Sequence, residues 1–240
     1  MTGFLEARDL TSGLGTGIAA CMRLAPDPGA VAELLHDESR TTAEAVASVA
    51  EPATLGELRS VLRWHAAHGH RVTVSGARTG VVGGAVPDTS THLVSVARLR
   101  GVVELDLRST TPTVRALAGT TLRELQAELA ARAPDLSLPL DPTETGASVG
   151  GMVATNAAGS RAFRFGSTRE WVAGLTVELA SGRTLALQRG IDRADGDALT
   201  LDEGSGPRTV HLPPIPKPRT KNSIGYGFAP GVRFPRRLFQ

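Results

Sequence analysis

The stretch Val74-Ser-Gly-Ala-Arg-Thr-Gly-Val-Val-Gly-Gly-Ala-Val-Pro87 decides how this chain is read. It leaves a segment, Arg71-Val-Thr-Val-Ser75, that reads as a strand, and it carries four glycines. Glycine adopts positive φ without penalty and lets a ligand come close to backbone amides. Consecutive amides turned inward form a concavity that suits phosphate oxygens. Ser75 and Thr79 add hydroxyl donors, and Arg78 adds a positive charge. The plainer alternative is a glycine-rich turn that binds nothing. The stretch is not a P-loop, since no lysine follows the glycines, and it is not GxGxxG.

A second stretch of the same character runs from Asp141 to Ser160. Within it, Ser148 precedes Gly150-Gly151 and a helix-like run from Met152 to Ala158. A helix N-terminus presents free amides and a partial positive charge to an anion. Close packing of a helix on a sheet would use the same small residues. Gly146-Ala-Ser-Val-Gly150 also matches GxSxG, with Asp192 or Asp202 and then His211 in hydrolase order. That motif needs a buried strand before the serine, and Asp141-Pro-Thr-Glu-Thr145 does not read as one. Two glycine-rich anion cradles in one chain suit a dinucleotide gripped from both sides.

The surrounding pattern is mixed. Pro28 to His36 has apolar residues at helical spacing. Thr54-Leu-Gly-Glu57 is a capping box opening a helix whose apolar face is Leu55, Leu58, Val61 and Leu62, with Gly69 as its stop. Strands are predicted over His92 to Val96, Val102 to Leu107 and Thr113 to Ala118. Thr121-Leu-Arg-Glu124 opens a second helix, to about Arg132. Val172 to Leu179 and Thr184 to Leu187 flank Ser181-Gly182 as a hairpin. Strands and helices do not alternate regularly, so the expected class is α+β rather than a doubly wound parallel sheet. His65, His68 and His70 read as an exposed helix end, where partial positive charge is favoured. Trp64 and Trp171 read as packing residues.

The 240 residues are 41% hydrophobic and 21% charged, which excludes a wholly disordered chain. No apolar run reaches the roughly 18 residues of a membrane span, and no secretory signal is visible. The single cysteine, Cys21, excludes an internal disulfide scaffold and an all-cysteine metal cluster. No metal site and a cytoplasmic location are expected. The net charge of +2 is uneven: from Gly204 onward there are seven Lys or Arg and no Asp or Glu. The first 203 residues therefore hold 19 basic against 24 acidic side chains. With aromatic residues at 4%, a base-stacking nucleic-acid surface is not expected.

Four ordered pieces resemble the FAD-binding domain of the p-cresol methylhydroxylase/vanillyl-alcohol oxidase superfamily. They are Ser75 to Pro87, Ala118-Gly-Thr-Thr-Leu-Arg-Glu-Leu125, Gly146-Ala-Ser-Val-Gly-Gly-Met-Val-Ala-Thr-Asn156, and Phe165-Gly-Ser-Thr-Arg-Glu170 with the hairpin after it. The branch they look closest to contains the glycolate oxidase FAD subunit and D-lactate dehydrogenases. Lys221-Asn-Ser-Ile-Gly-Tyr226 resembles a further segment of that family. The resemblance implies an α+β, two-subdomain PCMH-type fold with FAD stretched between the halves. These would span residues 50–115 and 116–212, after an N-terminal extension with a helix over 1–49. It implies that Ser75, Gly76, Ala77, Arg78, Thr79 and Gly80 hold the pyrophosphate. Gly146, Ser148, Gly150, Gly151, Thr155 and Asn156 would line the other side, with the backbone near Val177 at the adenine end. Family members that attach flavin covalently often carry a histidine in the first loop; this loop has none, which implies non-covalent FAD.

The implied activity is flavin-mediated oxidation of a 2-hydroxy acid such as glycolate or D-lactate, by hydride transfer to FAD N5. The family's flavin-proximal stretch after the Gly-Tyr segment and its C-terminal substrate domain have no counterpart here. Residues 213–240 form a basic, proline-rich tail, expected to mark a truncation or a lost reading frame near Phe228. No catalytic base is assignable. Arg161, Arg164 and Arg169 are candidates for an anionic substrate, against the plainer reading of a solvated loop. The alternative is a non-catalytic flavin-binding remnant, or a subunit completed by a partner chain or a second copy.

Overall fold

The computed structural model describes residues 16–140, 144–192, 194–202 and 206–211. Its first half is built on a four-stranded sheet of β1 (Met22–Leu24), β2 (Ser48–Ala50), β3 (Val72–Ser75) and β4 (His92–Ser95). The spatial order is β1-β2-β4-β3, with β4 parallel to both β2 and β3 and β1 antiparallel at one edge. β2 and β4 are buried at every position, as apolar strands covered on two faces must be. Alternate side chains feed two layers. Ala50 and Val94 pack against Leu58, Val61, Leu62 and Trp64 of helix α2 (Leu55–Ala67), together with Ile18 of the short α1 (Thr16–Ala19). Val49 and Leu93 pack the other way, against Val31, Leu35 and Val46. The segment read as a helix from Pro28 is a 3₁₀ helix over Pro28–Leu34.

Helix α2 begins as expected, with Thr54 Oγ1 accepting the Glu57 amide at 3.1 Å. The reciprocal half is displaced: the Glu57 carboxylate accepts from Ala53 rather than from Thr54. Gly69, at φ +67°, turns the chain out of the helix.

The second half holds two antiparallel hairpins, β5 (Val102–Asp106) with β6 (Thr113–Ala116) and β7 (Gly174–Glu178) with β8 (Thr184–Gln188). Between them lie α3 (Leu122–Arg132), α4 (Val149–Thr155) and the single turns α5 (Ala162–Phe165) and α6 (Thr168–Trp171). Thr121 and Glu124 form the complete capping box at the start of α3. Leu122, Leu140 and Met152 make this half's core, with Trp171 packed against it. β9 (Ala194–Asp195), β10 (Ala198–Asp202) and β11 (Pro207–His211) form a separate antiparallel sheet. The basic tail beyond His211 lies outside the described residues.

The histidines at the end of α2 are not simply exposed. His68 is exposed and its Nδ1 meets the Trp64 carbonyl at 2.8 Å. His65 is 1% exposed, edge-on to Trp64 and against His92. Its position follows from the helix: it shares the inward face with Leu58, Val61 and Leu62. Burial pushes its pKa down to about 3, with the neighbouring imidazoles adding to the shift, and pushes His92 down to about 4. Both are neutral at physiological pH.

The two halves meet backbone to backbone at Gly119. Its N–H donates to the Leu99 carbonyl at 2.9 Å. A Cβ there would lie 2.1 Å from the Val96 oxygen and 2.9 Å from the Leu99 oxygen. Gly119→Ala is therefore expected to destabilise the protein by about 3 kcal/mol or more in urea unfolding. Gly17→Ala, where a Cβ meets nothing within 4 Å in α1, should be neutral or stabilising by up to about 1 kcal/mol. A Gly119→Ala protein as stable as the parent would show that this contact is not tight.

Candidate functional site

Parallel strands need a long crossover between them. For β3 and β4 that crossover is the glycine-rich loop itself, which leaves Ser75 at the carboxyl end of the sheet. Carboxyl ends of parallel strands are where ligands of open α/β sheets bind. Ser75 is 1% exposed and its Oγ has no hydrogen-bond partner. Arg78 holds φ +58°, a left-handed conformation uncommon for a residue with a side chain. Its carbonyl accepts the Glu38 amide at 3.3 Å. The amides of Arg78, Thr79 and Gly80 have no hydrogen-bond partner among the described residues. Beside Gly80 a Cβ would meet nothing within 4 Å. The loop thus presents unpaired donors beside open space.

The second segment comes up against the first. Ser148 caps α4, accepting the Gly151 amide at 3.3 Å, and its Oγ also accepts the Ala77 amide at 3.4 Å. A Cβ on Gly76 would lie 2.3 Å from that same oxygen. One hydroxyl therefore joins both glycine-rich loops. The amides of Val149 and Gly150, expected to be free for an anion, are already taken. They donate to the carbonyls of Thr120 and Ala118, each at 2.8 Å. A Cβ on Gly150 would press on Ala118 at 2.8 Å. At this position the glycine serves helix packing, and the Ala118-Gly-Thr120 turn is a supporting element that reading the two loops alone did not assign.

The far end of α4 is equally constrained. Thr155 Oγ1 donates to the Gly151 carbonyl at 2.9 Å, and its side of the helix is exposed. Asn156 closes the helix at φ +50°, and its Oδ1 accepts the Arg169 amide at 2.9 Å. The Gly146 amide is held by the Glu144 carboxylate at 2.6 Å. Val177 is half-buried on β7, paired with Leu185. Its neighbour Glu178 ties β7 to α2 through a two-pronged bridge from Arg59, at 2.7 Å and 3.0 Å. Arg161 and Arg164 are exposed, and Arg164 lies over the Phe165 ring at 5.1 Å; Arg169 is half-buried.

The hydrolase reading finds no support. Ser148 is 3% exposed and serves as a helix cap, and His211 pairs with exposed Asp197 instead.

The parallel-strand crossover carries unpaired amides and is locked to a capped helix by a shared hydroxyl. The chain belongs to the FAD binding domain family, whose model matches residues 46–188, within the p-cresol methylhydroxylase/vanillyl-alcohol oxidase superfamily. It is 36% identical over 171 residues to a D-2-hydroxyglutarate dehydrogenase of Xanthomonas citri pv. viticola, covering 71% of this chain and 35% of that one. It is 35% identical over 156 residues to a D-lactate dehydrogenase of Anaerostipes hadrus, covering 65% of this chain and 32% of that one. The chain thus spans about a third of the length of these relatives. Its fold matches alkyldihydroxyacetonephosphate synthase with a TM-score of 0.63 at 19% identity, covering 79% of this chain and 39% of that one. It matches a chitooligosaccharide oxidase with a TM-score of 0.60 at 19% identity, covering 72% and 37%. These likenesses show the PCMH-type α+β fold. FAD is the family's cofactor.

Two outcomes are expected. Gly76→Ala should weaken FAD uptake, measured by flavin fluorescence quenching, and adding Ser148→Ala should restore part of the loss by removing the opposed oxygen. No loss in Gly76→Ala would mean the two loops are not in contact. The second concerns Glu178. Burial pushes its pKa up, but the hydrogen bonds from Arg59 and Thr184 outweigh that and hold it below the ordinary value. A carboxyl depressed in the folded state adds stability above its unfolded pKa and loses it as pH falls through the folded one. Glu178→Gln should therefore lower the urea midpoint at pH 7, with the gap to the parent closing below about pH 4.3. A gap independent of pH would show that charge is not the cause.

Proposed function

We propose that this chain is the FAD-binding part of a flavin-dependent oxidoreductase acting on a 2-hydroxy acid. The observation that carries the reading is the cradle at the end of β3. The buried, partnerless Ser75 hydroxyl, the unpaired amides of Arg78, Thr79 and Gly80, and the open space at Gly80 fit a diphosphate. Ser75, Gly76, Ala77, Arg78, Thr79 and Gly80 would hold the pyrophosphate, with Arg78 offsetting its charge. Gly146, Ser148, Gly150, Gly151, Thr155 and Asn156 would line the facing wall, and the Val177 strand the adenine end. The cofactor would lie between halves spanning 50–115 and 116–212.

Attachment would be non-covalent: the loop has no histidine, and His65, His70 and His92 lie at the opposite end of the sheet. FAD, when bound, supplies hydride acceptance at N5 from the substrate's CH–OH carbon. The chain's own residues bind and orient it and narrow the access of water to the pyrophosphate. The 2-hydroxy acid class is supported by the names of the relatives, a D-2-hydroxyglutarate dehydrogenase and a D-lactate dehydrogenase. The single half-buried Cys21 accords with a reducing, cytoplasmic setting. Among the described residues no helix is long and apolar enough to cross a membrane.

A second reading has its own observation. Val81 and Val82 in the cradle loop are 73% and 80% exposed, and Phe163 is fully exposed. Exposed apolar side chains such as these suit a partner chain or further residues that complete the site. The deciding experiment is the visible spectrum of the purified chain, heat release of its chromophore, and anaerobic addition of D-lactate, D-2-hydroxyglutarate and glycolate. The expected result is a flavin spectrum, FAD freed by heat, and bleaching by one of the acids. Bound FAD without bleaching by any acid would favour the non-catalytic or partner-dependent reading. A folded chain that takes up no FAD would overturn both.

A further inference from the structure

Three imidazoles from separate elements converge at the other end of the first sheet. His65 comes from the last turn of α2, His70 from the turn before β3, and His92 from the first position of β4. Each offers a ring nitrogen within 4.8 Å of those of the other two. His65 and His70 face each other through their Nδ1 atoms at 3.2 Å. That is close to the edge of a tetrahedron of nitrogens around zinc, about 3.3 Å for bonds of 2.0–2.1 Å. His92 Nδ1 is engaged at 2.7 Å by Ser48 Oγ, a fully buried hydroxyl on β2. When that nitrogen donates to Ser48, Nε2 carries the lone pair, which is how a second group commonly orients a metal-binding histidine.

We propose that His65, His70 and His92 bind a divalent transition-metal ion of the zinc class. The donors are all imidazole, which selects zinc, nickel, cobalt or copper over calcium and magnesium, whose ligands are oxygens. The shared proton between the Nδ1 atoms moves to Nε2 of its own ring, so both rings stay neutral as the metal takes its place. The His70 and His92 rings are stacked at 4.1 Å and 17°, and coordination requires that stack to open. His70 is the half-buried member, on the turn that Gly69 makes, and is the ring able to swing. His68 is excluded, since it is exposed and its Nδ1 is held by the Trp64 carbonyl. A water would complete a four-coordinate shell. His92 lies three residues before Ser95, which pairs with Ser75, so this site is about 10 Å along the strand from the cradle. It is thus separate from the flavin site and fastens α2 to the amino ends of β3 and β4.

The test is cobalt(II) and zinc(II) titration of the untagged full-length chain after chelator treatment, read by cobalt d–d absorbance and calorimetry. The expected result is one ion per chain with the intense visible bands of four-coordinate cobalt. Ser48→Ala, which keeps all three ligands, should weaken binding by about 10- to 100-fold. His70→Gln should weaken it by more than about 100-fold, since a ligand itself is lost. Circular dichroism reports whether each variant is folded, and His68→Gln should leave affinity unchanged. Absence of one-to-one binding would overturn the proposal. So would affinity unchanged in both folded Ser48→Ala and His70→Gln, or lowered by His68→Gln to the same extent.

Discussion

At Gly119 two backbones come so close that no side chain fits between them, and the arrangement of the site depends on that contact. The turn Ala118-Gly-Thr120 faces in two directions. On one side Gly119 is bonded to the end of the first sheet, through Leu99. On the other, the carbonyls of Ala118 and Thr120 take the first amides of α4. The start of α4 is Ser148, whose hydroxyl reaches Ala77 in the first loop. A continuous series of short polar contacts therefore runs from β4 to α4 and back to the end of β3. Nothing in it involves a long, adaptable side chain. This rigidity fixes the spacing of the two glycine-rich segments, as a preorganised binding site requires.

The two segments consequently differ in role. The first keeps its donors unpaired: three consecutive amides and a buried hydroxyl have no partner among the described residues. The second has used its own donors internally, and its small residues admit close packing instead. A symmetrical grip, with two anion-binding helix or loop ends, is thus not what the chain builds. One loop keeps polar donors unpaired, and the other presents small, closely packed residues. The Arg59–Glu178 bridge places the β7 strand relative to the same frame from the opposite flank.

Much of this was legible in the residues. The box at Thr121 and Glu124, the Ser181-Gly182 turn, and the mixed class followed from local rules of capping, turn chemistry and periodicity. The two loops stood out because glycine density after a strand has few other uses. What local rules could not reveal was pairing across the chain. His92 looks like an ordinary strand residue until the register sets it beside Val72, next to His70 and under His65. The amides of α4 looked free because their acceptors lie some thirty residues earlier in sequence. The displaced half of the Thr54 box depends on which of two adjacent amides the Glu57 carboxylate reaches, a difference that composition does not encode.

The strand order β1-β2-β4-β3 also governs how the chain can acquire its shape. β2 has no parallel neighbour until β4 arrives, more than forty residues later, and β3 can only add at the outside of β4. Closing such long loops costs entropy before any pairing is gained, which slows folding. During synthesis α2 can form while the apolar strand it will cover is still a bare edge, a state open to association with other chains. The loop between β3 and β4 takes its final form only when both strands are seated, so its unpaired amides are set in place late in the first sheet's assembly.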